Sequence, residues 1–590
     1  MTEEQKHERD LEEQLRGARV TRRRFVQGAA AASAGAAALA AGAKLGGVAS
    51  AAPAGQAQSG EQQIFYNNIL HEDPTSFDWN GNLYCNAEVE TNAGLLTWDA
   101  NLNPIPDWAE SYEHNADYSV YTFHIRPNNK GWTNGDPVTA QDFIWSWIRL
   151  LDPKNNNPYP HILLDILNAE AFNTGGQVNG KPATSADLGL KAINDWTLEV
   201  TLQGPRGNFP FKVAYIATVP AHRASVEKYG DQWATGKYPL ISNGPLNLDK
   251  WDHGVKCVLS KNPNYWNAES MALTDVVDPV VPAEKETQQY ENGTGDQRLD
   301  WTDVPSSDLK RYESDPQLKT QLKHYVYPGI WFLIPSNGIK PFDLLQVRQA
   351  VSHAIDRSEI VTATQNQTSV ADCMVPPGVF GYLGDDPDIA PIQKYDPELA
   401  MSVLKGTPYE GGKNWPGITM IMRASEEEYN SDIMANDIVA QLKKNLNMNI
   451  SIQAIPQSTF NDTLFKDKSQ LVFIRWWYDY PDPDNGYGDM FFSRKASGKR
   501  QAWSNSQFDD LVLEGKAEAD PTKRLAIYKQ AEIIIQKDVG YVPLVYRRDT
   551  YAFKPWVKGV PTNKQGYTVP DGNIFVRMLP DIRIEGRPKS

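Results

Sequence analysis

The stretch Val347-Arg348-Gln349-Ala350-Val351-Ser352-His353-Ala354-Ile355-Asp356-Arg357 carries a clear helical pattern within the 590-residue chain. Its apolar residues recur at i, i+3, i+4, i+7 and i+8, which is the period of a helix with one buried face. Strand patterns lie elsewhere, because every second residue is apolar in 120–125 and in 195–202. Helices mixed with half-buried strands, without an internal repeat, predict an α/β protein of several lobes.

Other helices are predicted from caps and apolar stripes. Thr139-Ala140-Gln141-Asp142 is a capping box that opens a helix. A further helix is predicted after Ser506. Three helices have a predicted apolar stripe each: Phe143, Trp147, Ile148 and Leu151 on the first; Met434, Ile438, Leu442 and Leu446 on the second; and Leu525, Tyr528, Ala531, Ile534 and Ile535 on the third.

The N-terminal residues resemble an export signal. Thr21-Arg22-Arg23-Arg24-Phe25-Val26-Gln27 contains an arginine pair before an apolar residue, and 28–48 is almost entirely Ala and Gly. That combination is typical of a twin-arginine (Tat) signal with a weakly apolar core. Small residues around 49–54 offer cleavage sites, so we expect 1–54 to be a signal peptide and the protein to work outside the cytoplasm.

Composition limits the kinds of partner. Without residues 1–54 the chain has 50 Lys and Arg against 67 Asp and Glu, a charge of about −17 that disfavours nucleic acid and anionic lipid. Length alone predicts two or three lobes. The three cysteines, Cys85, Cys257 and Cys373, are too few for a disulfide framework. None lies near the cleavage region, so we expect no N-terminal lipid anchor, and we expect a monomer.

Several motifs occur in one order along the chain. Together they resemble family 5 of the extracytoplasmic solute-binding proteins, the oligopeptide and dipeptide receptors of ABC importers. The resemblance runs from about residue 73 to about residue 570. The motifs are GLLTWD at 94–99, PDWAES at 106–111, YTFHIR at 121–126, GDPVTAQDF at 135–143, SNGP at 242–245, NPNYW at 262–266, the helix at 347–357, DYPDP at 479–483 and YVPL at 541–544.

The resemblance implies a fold and a mechanism. The fold is α/β, a bilobal periplasmic-binding-protein-like clam with an additional domain, and the ligand is buried between the lobes. Closure around the ligand presents a shape that the membrane permease and its cytoplasmic ATPases recognise. We expect crossings between the lobes near 331–337 and 546–551. The expected segments are 1–54 signal; 55–96, 236–335 and 549–590 lobe I; 97–235 additional domain; and 336–548 lobe II.

Most motif residues are expected to be structural. Arg348, Asp356 and Arg357 stand at spacings that suit pairing on a helix surface. Gly135-Asp136-Pro137 is turn chemistry, and Asn262-Pro263 marks the exit of a strand.

Asp479 is the first predicted ligand-binding residue. An apolar strand, 471–474, runs into Arg475-Trp476-Trp477-Tyr478-Asp479, and charges at such a strand end are costly to bury without a partner. In peptide-binding members of the family, the matching aspartate pairs with the ligand's α-ammonium. The alternative is a turn carboxylate that backbone N–H groups satisfy.

Two departures from the family pattern affect the choice of ligand. Arg475 lies four residues before Asp479, whereas some oligopeptide receptors carry a carboxylate-pairing arginine six residues before, where this chain has Phe473. Arg475 could still reach a ligand carboxylate or phosphate, or it could pair with Asp479 when no ligand is present. Dipeptide receptors carry an arginine near the start of the helix whose stripe here begins at Met434, whereas 424–430, just before that helix, is acidic in this chain. A free dipeptide is therefore less expected than a longer, amidated or modified peptide, or than a cationic or uncharged solute, and an oligopeptide is expected before a dipeptide.

Aromatic residues leave an oligosaccharide ligand as the alternative. Trp476, Trp477 and Tyr478 lie beside Asp479, and Asn82 and Tyr84 belong to an aromatic loop at 79–84. Aromatic faces flanked by Asn and Asp suit sugar rings, although packing in the core explains them equally. Asn67 and Asn68 could also line the cleft.

Enzymatic activity is not expected. The chain has no G-x-S-x-G, H-E-x-x-H, P-loop or G-x-G-x-x-G motif. The histidines show no metal-ligand spacing, and 482–486 departs from an EF-hand loop. We therefore expect no cofactor and no metal, and an exported hydrolase is a remote alternative.

Overall fold

The structure is a computed structural model that describes residues 62–82, 85–424, 430–456, 459–460, 463–464, 469–494, 503–564 and 578–588. The predicted signal at 1–54, Tyr84 and most of the acidic loop at 424–430 lie outside these ranges. No helix in the described ranges has the length and apolar character that a membrane span requires.

The strands are short except for two. They are β1 Ile64–Tyr66, β2 Leu96–Trp98, β3 Pro104–Pro106, β4 Ala109–His114, β5 Val120–Ile125, β6 Gln177–Val178, β7 Lys181–Pro182, β8 Leu190–Asn194, β9 Thr197–Thr201, β10 Leu246–Asp252, β11 Lys256–Lys261, β12 Asp275–Pro279, β13 Trp301–Asp303, β14 Leu322–Pro335, β15 Thr368–Val370, β16 Ile418–Arg423, β17 Ile450–Ile455, β18 Leu471–Trp477, β19 Val542–Phe553, β20 Val557–Lys558 and β21 Arg583–Ile584.

The α-helices lie mostly in the second half of the chain. They are α1 Ala140–Leu151, α2 Ala169–Asn173, α3 Phe209–Val213, α4 Arg223–Tyr229, α5 Glu286–Asn292, α6 Ser306–Ser314, α7 Leu345–His353, α8 Arg357–Ala363, α9 Pro397–Ser402, α10 Ser431–Leu446, α11 Pro483–Gly486, α12 Ser506–Ala517 and α13 Pro521–Lys537.

Three larger sheets organise the molecule. The first has the order β1-β12-β11-β10, with β1 and β12 parallel and the other pairs antiparallel. The second is antiparallel, in the order β4-β5-β9-β8, and lies within the predicted additional domain. The third has seven strands in the order β13-β19-β14-β18-β16-β17, with β15 added to β19.

Strands β14 and β19 form a long antiparallel pair through the third sheet. Their ladder runs from Leu322, opposite Ala552, to Leu333, opposite Val542. It is interrupted between Val326 and Ile330, where three residues of β14 stand opposite Arg547. The segments predicted to cross between the lobes, 331–337 and 546–551, contain the end of β14 and the middle of β19. A ladder with a bulge is a local point of bending in this pair.

The predicted helices and strands agree well with the structure. Tyr121, Phe123 and Ile125 are buried on β5, as the alternating pattern requires. The main chain N–H and hydroxyl of Thr139 donate to Asp142 Oδ2 at 2.7 and 2.8 Å, which completes the predicted capping box of α1. All four apolar residues of the predicted stripe on α10 are fully buried.

The helix at 347–357 is shorter than predicted. Helix α7 ends at His353, and Asp356 caps α8, because its carboxylate accepts from Ser358 N at 2.9 Å. Arg348 and Arg357 are buried rather than paired on a helix surface, which corrects that expectation. Arg348 donates to the carbonyl oxygens of Phe342 and Asp538, and Arg357 donates to that of Pro543. These arginines therefore satisfy carbonyl groups just before α7, just after α13 and at the start of β19.

The core is built mainly from aromatic and aliphatic side chains of all three sheets. Trp108, Trp147, Trp301 and Trp331 are among its largest fully buried members. Cys85, Cys257 and Cys373, which all belong to the described residues, are buried and form no disulfide with one another.

Candidate functional site

The turn at 478–482 follows β18 and leaves the third sheet beside the bulge of β14. Tyr478 N donates to Pro328 O at 3.1 Å, so the turn is attached to the bulge. Asp479 N donates to Asn485 Oδ1 at 3.2 Å, and Trp476 Nε1 donates to the same oxygen at 3.0 Å. Asn485 is fully buried, and its side-chain oxygen holds the backbone of Asp479 in place through this hydrogen bond.

The Asp479 carboxylate faces a histidine from another part of the chain. Its Oδ2 lies 3.8 Å from His161 Nε2, and the side chains are 24% and 42% exposed, respectively. Within the described residues, no backbone N–H donates to this carboxylate. The geometry therefore differs from a turn carboxylate that its own backbone satisfies. His161 was missed by sequence reasoning, because 318 positions separate it from Asp479 and no local pattern links them.

Arg475 and Trp477 lie on one face of β18. The Arg475 guanidinium carbon is 4.8 Å from the centre of the Trp477 ring, and the residue is buried. Trp477 meets Trp331 edge-on, with ring centres 4.8 Å apart, and Arg547 lies 5.6 Å from its ring. The ring also crosses Gly329, where an added Cβ would lie 1.8 Å from Trp477 Cε3. The absence of a side chain at Gly329 is what permits this packing.

The other predicted site residues differ in exposure. Trp476 is half-buried, whereas Tyr478 is 1% exposed and its hydroxyl donates to Met374 O at 3.2 Å. Tyr478 thus lies in the core, where it supports the turn. Asn82 is partly exposed, and its carbonyl oxygen accepts from the Cys85 thiol.

Asn67 and Asn68 are buried at the end of β1. Asn67 donates to Glu88 at 3.1 Å and accepts from the indole of Trp301. Asn68 donates to Glu286 at 3.1 Å. Both amides therefore hold buried side chains in place next to the end of β1: Asn67 holds Glu88 and Trp301, and Asn68 holds Glu286.

Buried ion pairs surround the turn. Asp482 binds Arg524 through two bonds of 2.5 and 2.6 Å, and both side chains are almost fully buried. Asp484 accepts from Tyr480 at 3.0 Å and lies 3.2 Å from Lys516 Nζ. Arg524 and Lys516 come from α13 and α12, so these pairs attach the turn to two helices of the same region.

Asp165 extends these ion pairs to the part of the chain that carries His161. Its carboxylate lies 2.5 Å from Lys212 Nζ, 2.7 Å from Arg206 Nε and 3.8 Å from Lys516 Nζ. Burial alone would raise the pKa of Asp165, but the three cations hold that pKa well below its ordinary value. Segment 160–165 therefore contacts the turn at 478–482 through His161 and Asp479, and it is linked to Asp484 through Lys516, which lies between Asp165 and Asp484.

Comparisons with known proteins agree with this architecture. Residues 103–498 match the family model for bacterial extracellular solute-binding proteins, family 5 middle. The oligopeptide-binding protein OppA of Bacillus subtilis is 30% identical over 479 residues, which cover 80% of this chain and 85% of OppA. The dipeptide-binding protein DppE of the same species is 29% identical over 520 residues, with 86% and 91% covered.

A solved structure is similar over nearly the same range. The unliganded open form of the periplasmic murein tripeptide binding protein MppA has a TM-score of 0.74 and 25% identity to this chain. The match covers 89% of this chain and 98% of MppA.

Fold and site together define an extracytoplasmic solute receptor with an α/β periplasmic-binding-protein fold, not an enzyme. The chain belongs to family 5 of the bacterial extracellular solute-binding proteins. The family and fold class predicted from the motifs are confirmed.

Proposed function

We propose that this protein is the peptide receptor of an ABC importer, that it captures an oligopeptide between its lobes, and that it delivers this ligand to the membrane permease. Asp479 carries the proposal. Its carboxylate is partly exposed, it is not satisfied by backbone donors in the described residues, and it faces His161 across a gap of 3.8 Å. A ligand α-ammonium fits such a group, because a charge-assisted bond to a carboxylate is stronger than a neutral one.

The relatives support a peptide, since their names cover oligopeptides, dipeptides and a murein tripeptide. We favour an oligopeptide over a dipeptide for this chain because 426–428 is acidic where dipeptide receptors carry an arginine. The remaining proposed ligand contacts are Arg475, Trp476, Trp477, Asn82 and Tyr84, whereas Tyr478 supports the turn from the core.

Calorimetry with alanine peptides of two to five residues tests this function. We expect saturable binding that favours three or more residues, no hydrolysis of the peptide, and loss of affinity by about thirtyfold or more when the N-terminus is acetylated. Equal binding of free and acetylated peptides would contradict the role of Asp479. Binding of an oligosaccharide such as maltotriose, with no peptide binding, would favour the alternative ligand class.

Closure of the lobes about the β14–β19 pair is part of the same proposal. The lobes are assigned as 55–96, 236–335 and 549–590 for lobe I and 336–548 for lobe II, with the additional domain at 97–235. Small-angle scattering of the monomer should give a smaller radius of gyration with saturating peptide. Identical scattering profiles would contradict closure.

We also assign export to the Tat pathway and the signal peptide to 1–54. The arginine pair Arg22-Arg23 supports this assignment. Because Tat substrates cross the membrane folded, replacing both arginines with lysine should leave folded protein in the cytoplasm. Undiminished secretion of that variant would contradict Tat export.

A further inference from the structure

Three buried residues from distant parts of the sequence lie close together near the end of β1, in the first sheet. His71 follows β1, Glu286 begins α5, and Asp303 ends β13. All three are buried, with exposures of 5%, 1% and 3%. Each contributes one nitrogen or oxygen, and these atoms lie within 4.8 Å of one another. Sequence spacing gives no hint of this cluster, because its members are more than 200 and then 17 positions apart.

The contacts within the cluster hold two of its members in place. His71 Nδ1 lies 2.6 Å from Glu286 Oε1, and the second oxygen of Glu286 accepts from Asn68 Nδ2 at 3.1 Å. An amide that fixes a carboxylate from behind is the arrangement in which outer residues orient the ligands of a metal.

His71 provides a second and independent observation. Within the described residues, neither ring nitrogen of the buried His71 forms a hydrogen bond, although Nδ1 lies 2.6 Å from Glu286 Oε1. Buried polar atoms normally have a partner, and leaving them without one costs free energy. A ligand that accepts electron pairs from nitrogen and oxygen would satisfy such a site.

We propose that His71, Glu286 and Asp303 bind a divalent transition-metal ion of the zinc class. One imidazole and two carboxylates match the nitrogen and oxygen donors that Zn²⁺, Co²⁺ and Ni²⁺ take in proteins. Two carboxylates in a buried position also favour a doubly charged cation over a neutral ligand. With bonds of about 2.0–2.2 Å, the His71–Glu286 contact would widen by less than about 1 Å and Asp303 would move inward.

The site's position points to a structural role. Asp303 pairs with Tyr551 of β19, one of the two long strands of the third sheet. A bound ion would therefore link the end of β1 and the start of α5 to that strand. An ion that binds only the folded state stabilises it in proportion to the logarithm of its concentration. This inference goes beyond peptide binding and does not depend on it.

The test is zinc titration of the untagged, chelator-treated mature chain. His71→Gln removes a ligand, and His253→Gln is the matched control, since His253 also contacts a carboxylate, Asp73 at 2.9 Å, but is exposed. We expect one equivalent of zinc in the wild type and the control, with a thermal midpoint raised by about 3 °C or more, and no such shift with magnesium. His71→Gln should bind zinc at least tenfold more weakly.

A second measurement covers the case in which His71→Gln does not fold. Crystals of the wild type soaked in zinc should give an anomalous peak between His71, Glu286 and Asp303 at the zinc absorption edge. Anomalous peaks only at surface residues would overturn the proposal. Equal zinc affinity of wild type and a folded His71→Gln variant would overturn it as well.

Discussion

Asp479 and Asp482 lie three residues apart on one turn, yet their surroundings differ sharply. Asp482 is fully buried, caps α11 and forms two short bonds with Arg524. Asp479 is partly exposed, and its carboxylate faces His161 at 3.8 Å. A buried carboxylate with a close cation is committed to the fold, whereas a partly exposed one with a distant partner remains accessible to a ligand. One end of the turn is thus held in place by the buried Asp482–Arg524 pair, and the other end presents the Asp479 carboxylate to a ligand.

Asp482 and Asp479 also contribute differently to the stability of the folded protein. Breaking a buried ion pair is costly because the remaining charge stays buried without a partner, even where the intact pair adds little net stability. Exposed pairs contribute less than about 1 kcal/mol. Substitutions of Asp482 or Arg524 should therefore change the stability of the fold, and substitutions of Asp479 should change ligand binding.

The largest expected effect on folding comes from Arg524→Ala. This change leaves the Asp482 carboxylate buried without its cation and should lower the free energy of unfolding by about 3–5 kcal/mol. Urea denaturation followed by tryptophan fluorescence measures it. Lys191→Ala is the control, because the Lys191–Glu199 pair is 3.5 Å long and exposed, so its loss should cost less than about 1 kcal/mol. Equal effects of the two variants would contradict the claim that the buried Arg524–Asp482 pair is needed for the fold.

Asp165→Asn should give the next largest effect, about 2–4 kcal/mol at pH 7, because it leaves Lys212 buried without a counter-charge. The pKa of Asp165 is lower in the folded protein than in the unfolded chain, so its contribution is present above about pH 4 and is lost as the pH falls further. The difference between wild type and variant should stay constant from pH 5 to 8 and shrink below pH 4. Urea midpoints across this range check the profile, and a difference that grows on acidification would contradict it.

His161→Gln should have the smallest effect. The contact with Asp479 is long, and both side chains are partly exposed, so stability should change by less than about 1 kcal/mol. Peptide affinity should stay within about fivefold of wild type if Asp479 alone holds the ammonium. A loss of affinity above tenfold in calorimetry would mean that His161 itself contacts the ligand.

Local patterns predicted most of the elements but not their ends or their partners. The alternating residues of β5 and the stripe of α10 are buried as expected, because burial on one face imposes its period on the sequence. Helix α7 ends at His353, before the pattern ends, since Asp356 caps a new helix. The burial of Arg348 and Arg357 follows from the carbonyl groups of Phe342, Asp538 and Pro543, and no short window of sequence contains that information.

The candidate site divides in the same way. Asp479 was predicted because a charge ends an apolar strand and because the matching aspartate of peptide-binding family members pairs with the ligand's ammonium, and its role stays a prediction. His161 and Asp165 could not be found, because they reach the turn only through tertiary structure across more than 300 positions. The cluster of His71, Glu286 and Asp303 is likewise a product of sheet order, since β1, α5 and β13 converge only in the folded chain.

The central claim is that Asp479 binds the ligand's α-ammonium, and a double-mutant cycle in calorimetry tests it directly. Wild type and Asp479→Asn are each titrated with a free alanine peptide and with its N-acetylated form. We predict that Asp479→Asn weakens the free peptide by about 2–5 kcal/mol, leaves the fold intact, and binds both peptides about equally. Free-peptide binding by Asp479→Asn within about twofold of wild type would contradict the claim.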